Sequence, residues 1–181
     1  INSAKNDRKI RGGGKIKYGI IRNTKNTRQE EIIISTKQIS IAICDGNSWD
    51  AGLLEDYIRR SFPDAEITKL TKGQQLIKRM SENPNQFHLI FLEIEFSDDN
   101  GIRIAQEIRK FNKTVGLVFV AENENYYRQA FDVFALQYLL KPIDYPKLKR
   151  VLDFLDTNVQ RYYESVIEER VVCFRYRSQF Y

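Results

Sequence analysis

The sequence has one histidine, two cysteines and no apolar run approaching the ~18–20 residues of a membrane-spanning helix. Each scarcity removes a class of function. His88 has no cysteine or carboxylate neighbour at metal-ligand spacing, so it reads as a solvated or capped residue at the start of a strand. Cys44 and Cys173 do not make a disulfide framework; Cys44 ends an apolar run and reads as a small buried hydrophobe, which fits a reducing cytoplasm. The N-terminus is polar and basic and lacks the apolar core of a signal peptide. Gly12-Gly-Gly14 is not a P-loop, because no Gly-Lys-Ser/Thr opens a helix after it. Ser97-Asp-Asp-Asn-Gly101 is too short for a calcium loop and lacks its closing glutamate. It reads instead as a turn into a helix, with Asn100 as a cap.

What remains is a chain of 181 residues, 42% hydrophobic and 29% charged, a composition that predicts one ordinary globular domain with an appendage. The net charge of +5 is unevenly placed. Residues 1–38 hold 10 Lys+Arg against 3 Asp+Glu, whereas residues 39–181 hold 19 against 21. The basic character therefore belongs to an N-terminal arm. That arm is either a contact for nucleic acid or an acidic partner, or a solvated tail or added segment. Within it, the alternation of Ile16, Tyr18 and Ile20 and the patch Ile32-Ile-Ile34 could form two short strands of a hairpin.

From Ile39 the pattern is regular. Short apolar runs at Ile39–Cys44, Ala65–Leu70, Val115–Val120 and Gln137–Leu140 read as strands. Helical patterns at Trp49–Phe62, Gly73–Met80, Ile102–Phe111 and Glu124–Phe134, and a long one from Tyr145, separate or follow them. The run Phe87–Glu95 has no polar alternation before Glu93, which predicts a strand buried on both faces at the centre of a parallel sheet. Strands alternating with helices predict an α/β, doubly wound, five-stranded parallel sheet of flavodoxin-like type, with strand order 2-1-3-4-5. In such a sheet, functional groups collect beyond the carboxyl ends of the strands. Those ends carry Asp45-Gly46, Glu93, Ala121 and Lys141-Pro142. Val171-Val-Cys-Phe-Arg-Tyr176 reads as an opening strand of a second domain.

The segments Ile41-Ala-Ile-Cys-Asp45, Phe87–Glu95, Asn100-Gly-Ile102, Ala130-Phe131 and Tyr138-Leu-Leu-Lys-Pro-Ile-Asp144 carry a family resemblance, in order and at the right spacing. The chain over 39–161 resembles the receiver domain of bacterial two-component response regulators. The nearest variety is the receiver that precedes a LytTR-type DNA-binding domain. The resemblance implies a pocket in which an aspartate at the end of the third strand accepts a phosphoryl group and two acids after the first strand help hold Mg²⁺. It also implies a lysine that contacts the phosphoryl oxygens, a hydroxyl after the fourth strand, and an aromatic on the fifth that moves with it. Asp45, Lys141 and the aromatic Tyr138 match. Glu93 stands in place of the acceptor, Gly46 in place of the second acid and Ala121 in place of the hydroxyl. A glutamate sets its carboxylate one methylene further out, and phosphoryl transfer demands in-line placement.

The expectation is therefore a degenerate receiver, with no catalytic residue, no cofactor, and Mg²⁺ binding weak or absent. Asp45 and Glu93 are its only, weak, metal candidates. Glu93 either pairs with Lys141 to imitate a phosphorylated aspartate or forms a purely structural ion pair. Domains are expected at 1–38 (arm), 39–164 (receiver-like) and 165–181 (linker and start of a LytTR domain). The function expected is transcriptional control by a cytoplasmic response regulator, binding DNA through a C-terminal domain and answering a sensor kinase or another protein, with no membrane partner. The alternative is a phosphorylation-independent interaction or dimerisation module without DNA output. An enzyme or flavin protein on this fold is disfavoured, since neither a nucleophile–base pair nor a Ser/Thr/Gly-rich phosphate loop is present. The expected homodimer face carries Tyr127, Arg128, Phe134, Lys147 and Arg150, with Asp132, Asp144 and Asp153 as charge partners. The aromatics at 126, 127, 131 and 134 are otherwise expected to be mostly core.

Overall fold

The computed structural model of the protein describes residues 38–158. The hairpin expected in the N-terminal arm, the expected far end of the last helix at Tyr162, Tyr163 and Val166, Cys173, and the linker expected at 165–181 lie outside the described residues.

Five strands form one parallel sheet in the order β2-β1-β3-β4-β5. They are β1 (Ser40–Cys44), β2 (Glu66–Leu70), β3 (Leu89–Glu93), β4 (Gly116–Ala121) and β5 (Gln137–Leu140). Between them run α1 (Ser48–Ser61), α2 (Gly73–Glu82), α3 (Gly101–Phe111) and α4 (Tyr127–Asp132). A fifth helix, α5, occupies residues 145–158. The runs of the three inner strands, β1, β3 and β4, lack polar alternation because both faces of the sheet are covered there, whereas edge strands β2 and β5 carry exposed polar residues. Side chains of a strand alternate between faces, and the core divides accordingly. Ile39, Ile41, Ile43, Leu89, Phe91, Val118 and Val120 pack with α1 and α5 through Leu54, Ile58, Leu148 and Leu152. Ala42, Cys44, Ile90, Leu92, Leu117 and Phe119 pack on the other face with Leu76, Met80, Ile104 and Ile108 of α2 and α3.

Helix starts follow local chemistry. Asn47 caps α1 by accepting the Trp49 N–H at 2.9 Å, and Asn100 caps α3 by accepting that of Ile102 at 2.8 Å. Gly101 opens α3 so close to the end of β3 that a Cβ there would lie 2.1 Å from the Glu93 carbonyl oxygen. That approach, with the Gly101 N–H bonded to the Ile94 carbonyl at 2.9 Å, pins the end of β3 where Glu93 projects.

Three expectations need correction. The central strand is Leu89–Glu93, not the whole run from Phe87 to Glu95. Glu95 instead makes a single antiparallel bridge with Asn100 in the turn that follows. The helix expected over 124–134 is only Tyr127–Asp132. It ends in a turn where the N–H of Ala135 reaches the Ala130 carbonyl and that of Phe134 reaches the Phe131 carbonyl. Phe134 sits there in the left-handed region, with φ 54°, where glycine is usual. This early stop also overturns the expected burial of the aromatics, since Phe131 is 82% and Phe134 80% exposed. His88 is half-buried and accepts the Ser40 N–H on Nδ1 at 3.0 Å.

Arg109, on the last turn of α3, braces this turn. Its guanidinium donates to four backbone carbonyls: Val133 and Phe134 at 2.8 and 3.1 Å, and Asn112 and Val115 at 3.3 and 2.9 Å.

Candidate functional site

The carboxyl ends of β1, β3, β4 and β5 converge on Lys141, which follows β5. Its backbone N–H donates to the Ala121 carbonyl at 2.8 Å, so the β4–β5 ladder itself delivers the side chain to the pocket. The side chain is only 7% exposed. Its ammonium lies 2.8 Å from Asp50 Oδ2, 2.9 Å from Glu93 Oε1 and 3.3 Å from Asp45 Oδ2, with Glu122 Oε1 further away at 3.7 Å. Burial alone would lower the lysine pKa, but the hydrogen bonds it donates to Asp50 and Glu93 and the charge of Asp45 outweigh it and raise the value.

Glu93 is bound at both oxygens. Oε1 takes the lysine, and Oε2 accepts the Gly46 N–H at 2.7 Å. The missing side chain at position 46 makes room for this, because a Cβ there would lie 3.3 Å from Glu93 Oε2. Asp45 accepts the Asn47 N–H on Oδ1 at 2.7 Å. Its pKa is raised to about 6, by burial first and then by the charge of Glu93, against the opposing Asn47 hydrogen bond and Lys141. Beneath the pocket, burial and the charges of Asp45 and Glu93 push the Cys44 thiol up to about 12, which leaves it inert at neutral pH.

Of the residues expected in the pocket, Glu93 touches both Gly46 and Lys141, and Lys141 also reaches Asp45. Ala121 closes the end of β4 with a buried methyl group and offers no hydroxyl. Tyr138, on β5, turns its hydroxyl to the Asn123 carbonyl at 2.6 Å. Burial and the nearby Glu95 charge push its phenol up to about 12. Its ring stacks edge-on against Tyr127 at 4.3 Å. Asn123 in turn donates from Nδ2 to Glu95 Oε1 at 2.9 Å, so the loops after β3 and β4 and the ring on β5 share one network.

Sequence reasoning missed Asp50, Glu95, Glu122 and Asn123. Only Asp50 left a signal, as an acid in the first turn of a helix, which helix chemistry favours for its own reasons. The residues expected on the dimer face, Tyr127, Arg128, Phe134, Lys147 and Arg150, are all exposed. Of their expected charge partners, Asp132 and Asp144 are exposed, and Asp153 pairs with Lys149 at 2.7 Å within α5. The divalent cation that the receiver resemblance implies does not fit the pocket as it stands. Its carboxylates are turned onto an ammonium, and the described residues contain no cluster of His, Cys, Asp and Glu suited to a metal.

Comparison with known proteins places these features. The sensory transduction protein LytT of Bacillus anthracis is 40% identical over 68 residues, and the transcriptional regulatory protein LytR of Staphylococcus aureus 30% over 69. Each match covers 38% of this chain and 28% of the relative, so the chain spans under a third of the curated relatives it matches. Among solved structures, the response regulatory domain of protein mrkE from Klebsiella pneumoniae superposes with a TM-score of 0.59 at 21% identity, covering 68% of this chain and 99% of that one. A two-component response regulator from Clostridium difficile gives 0.57 at 24% identity, covering 65% and 95%. At these identities the superpositions speak for the fold alone. The family model of the response regulator receiver domain matches residues 41–153, from the second residue of β1 into α5, and the chain therefore belongs to the receiver family of response regulators.

Proposed function

We propose that this chain is the receiver of a LytT/LytR-like transcriptional regulator, and that its pocket is degenerate and closed by its own side chains. The observation that carries this reading is the buried Lys141 ammonium, held by Glu93, Asp45 and Asp50 within 3.3 Å. Glu93 spans from that lysine to the Gly46 N–H and so fills the space in which a phosphoryl group would be received. With no acid at 46 and no hydroxyl at 121, the pocket has neither the oxygen set for Mg²⁺ nor a group to follow a new charge. The Glu93–Lys141 pair holds one conformation without input, and the inward Tyr138 hydroxyl belongs to that conformation.

The names of the relatives, a sensory transduction protein and a transcriptional regulatory protein, support an output in transcription; in this reading a C-terminal LytTR-type domain binds DNA in the cytoplasm, and the receiver supplies constitutive pairing. Exposed Tyr127, Phe131 and Phe134 beside Arg128, Lys147 and Arg150 support a two-fold contact through the face of α4, β5 and α5. Acetyl phosphate with Mg²⁺ tests the closed pocket. The intact mass is expected to stay unchanged, and a stoichiometric gain of one phosphoryl group overturns the reading. Sedimentation tests the pairing. The wild type should sediment as a dimer whether or not phosphodonor is present, and Arg128→Glu with Arg150→Glu should dissociate it.

A further inference from the structure

An ammonium group has three N–H donors. Lys141 meets two buried carboxylates, Asp45 and Glu93, and the half-buried Asp50, and the shortest contact, 2.8 Å, comes from a helix rather than from a strand end. Asp50 occupies the third position of α1, three residues beyond the cap Asn47. An acid at that position ordinarily turns back to the N–H of the cap residue. Here Asp45 Oδ1 already holds the Asn47 N–H at 2.7 Å, so Asp50 is released to face Lys141. Position 46 offers a backbone N–H in place of a carboxylate, and Glu93 Oε2 takes it.

We infer that Asp50 is the positioning residue that closes this pocket to phosphate-type oxyanions, supplying from α1 the negative charge that position 46 lacks. It acts through Lys141 in two ways. It engages the N–H that Asp45 and Glu93 leave, so an entering oxyanion must displace a charge-assisted hydrogen bond. It also adds a third carboxylate to a single ammonium, which takes the ionised cluster of Asp45, Glu93 and Lys141 from one excess negative charge to two and strengthens its repulsion of an anion at close range. Removing Asp50 frees that N–H and halves the excess negative charge, while leaving Glu93 and Asp45 on the lysine.

The inference rests on the self-closed pocket proposed above, and the test separates the two. Inorganic phosphate is titrated into the wild type, Asp50→Ala and Asp50→Glu, following Trp49 fluorescence and the Gly46 amide resonance. Trp49 is 70% exposed and adjacent to Asp50, and alanine is well tolerated in a first helical turn. Asp50→Ala is expected to bind phosphate saturably, at least about tenfold more tightly than the wild type or Asp50→Glu. An alanine variant that behaves as the wild type, or responds without moving Gly46, overturns the role of Asp50 and leaves the closed pocket standing. A wild type that itself saturates with movement of Gly46 overturns the closed pocket. A measurement on the unsubstituted chain adds a second check. The Lys141 ammonium protons should exchange with water more slowly than those of exposed Lys72 and Lys113, and equal rates refute the assignment.

Discussion

Gly46 and Glu93 should behave as one unit, and a double-mutant cycle measures this. Glu93→Asp draws the carboxylate back by about 1.5 Å, one carbon–carbon bond. It then loses its hold on the Gly46 N–H at 2.7 Å and on Lys141 at 2.9 Å, although the lysine keeps Asp45 and Asp50. The expected cost is about 1–2 kcal/mol, the value of charge-assisted hydrogen bonds in a partly wet site. Gly46→Asp alone places a Cβ 3.3 Å from Glu93 Oε2 and adds a fourth carboxylate to one ammonium. At about 5 Å and an effective dielectric near 20, that like charge costs roughly 3 kcal/mol, less whatever protonation relieves. In the double variant the shortened side chain at position 93 has vacated the space, so its cost should fall below the sum of the singles by about 1–2 kcal/mol. Urea denaturation of the four proteins at pH 7 gives the coupling. Repeating it with Mg²⁺ should raise the midpoint of the double variant alone, since only that variant has three short carboxylates at the strand ends and room between them. Additivity within about 0.5 kcal/mol would refute the claim that the long side chain and the missing one are two halves of one change.

Other outcomes follow from single residues. Asp45 has a folded pKa near 6, above its ordinary 3.8, so its contribution to stability is fully present below about pH 4 and is lost as the pH rises through 6. Asp45→Asn should therefore be increasingly stabilising between pH 4 and pH 7, by about 1–2 kcal/mol at the upper end after discounting for solvent, and a flat difference would contradict this. Phe134→Gly removes a left-handed phenylalanine that buries little, so thermal stability should rise by about 0.5–1 kcal/mol while dimer affinity falls; a fall in stability would show that the ring packs. Gly101→Ala forces a methyl against the Glu93 carbonyl and should cost more than about 2 kcal/mol in chemical denaturation, whereas Gly52→Ala, in open space, should not.

The strands were legible because alternate residues face two different cores, which demands apolar side chains throughout, as in Ile39–Cys44 and Leu89–Leu92. The pocket was legible at the strand ends, where fold geometry converges on fixed positions. Asp50 was hidden because an acid three residues after an asparagine cap already has an adequate local reason to exist. Its partner is brought near only by the β4–β5 ladder. The end of α4 was hidden for the opposite reason. Phe131 and Phe134 complete a helical apolar stripe, and nothing in a phenylalanine announces the turn that glycine would have marked.

The brace formed by Arg109 has a mechanical consequence. All three of its nitrogens are committed to backbone carbonyls, which cannot be exchanged for another partner as a side-chain carboxylate can. One end of α4 is thereby riveted to α3 and to the start of β4. The other end begins at Tyr126 with no side-chain cap. That end is held by the Tyr127 ring against Tyr138 at 4.3 Å and by the Tyr127 N–H on the Glu124 carbonyl at 3.2 Å. The two ends of α4 are therefore tethered unequally, by four charged-donor hydrogen bonds at the Phe134 end and by one ring contact and one backbone bond at the Tyr127 end.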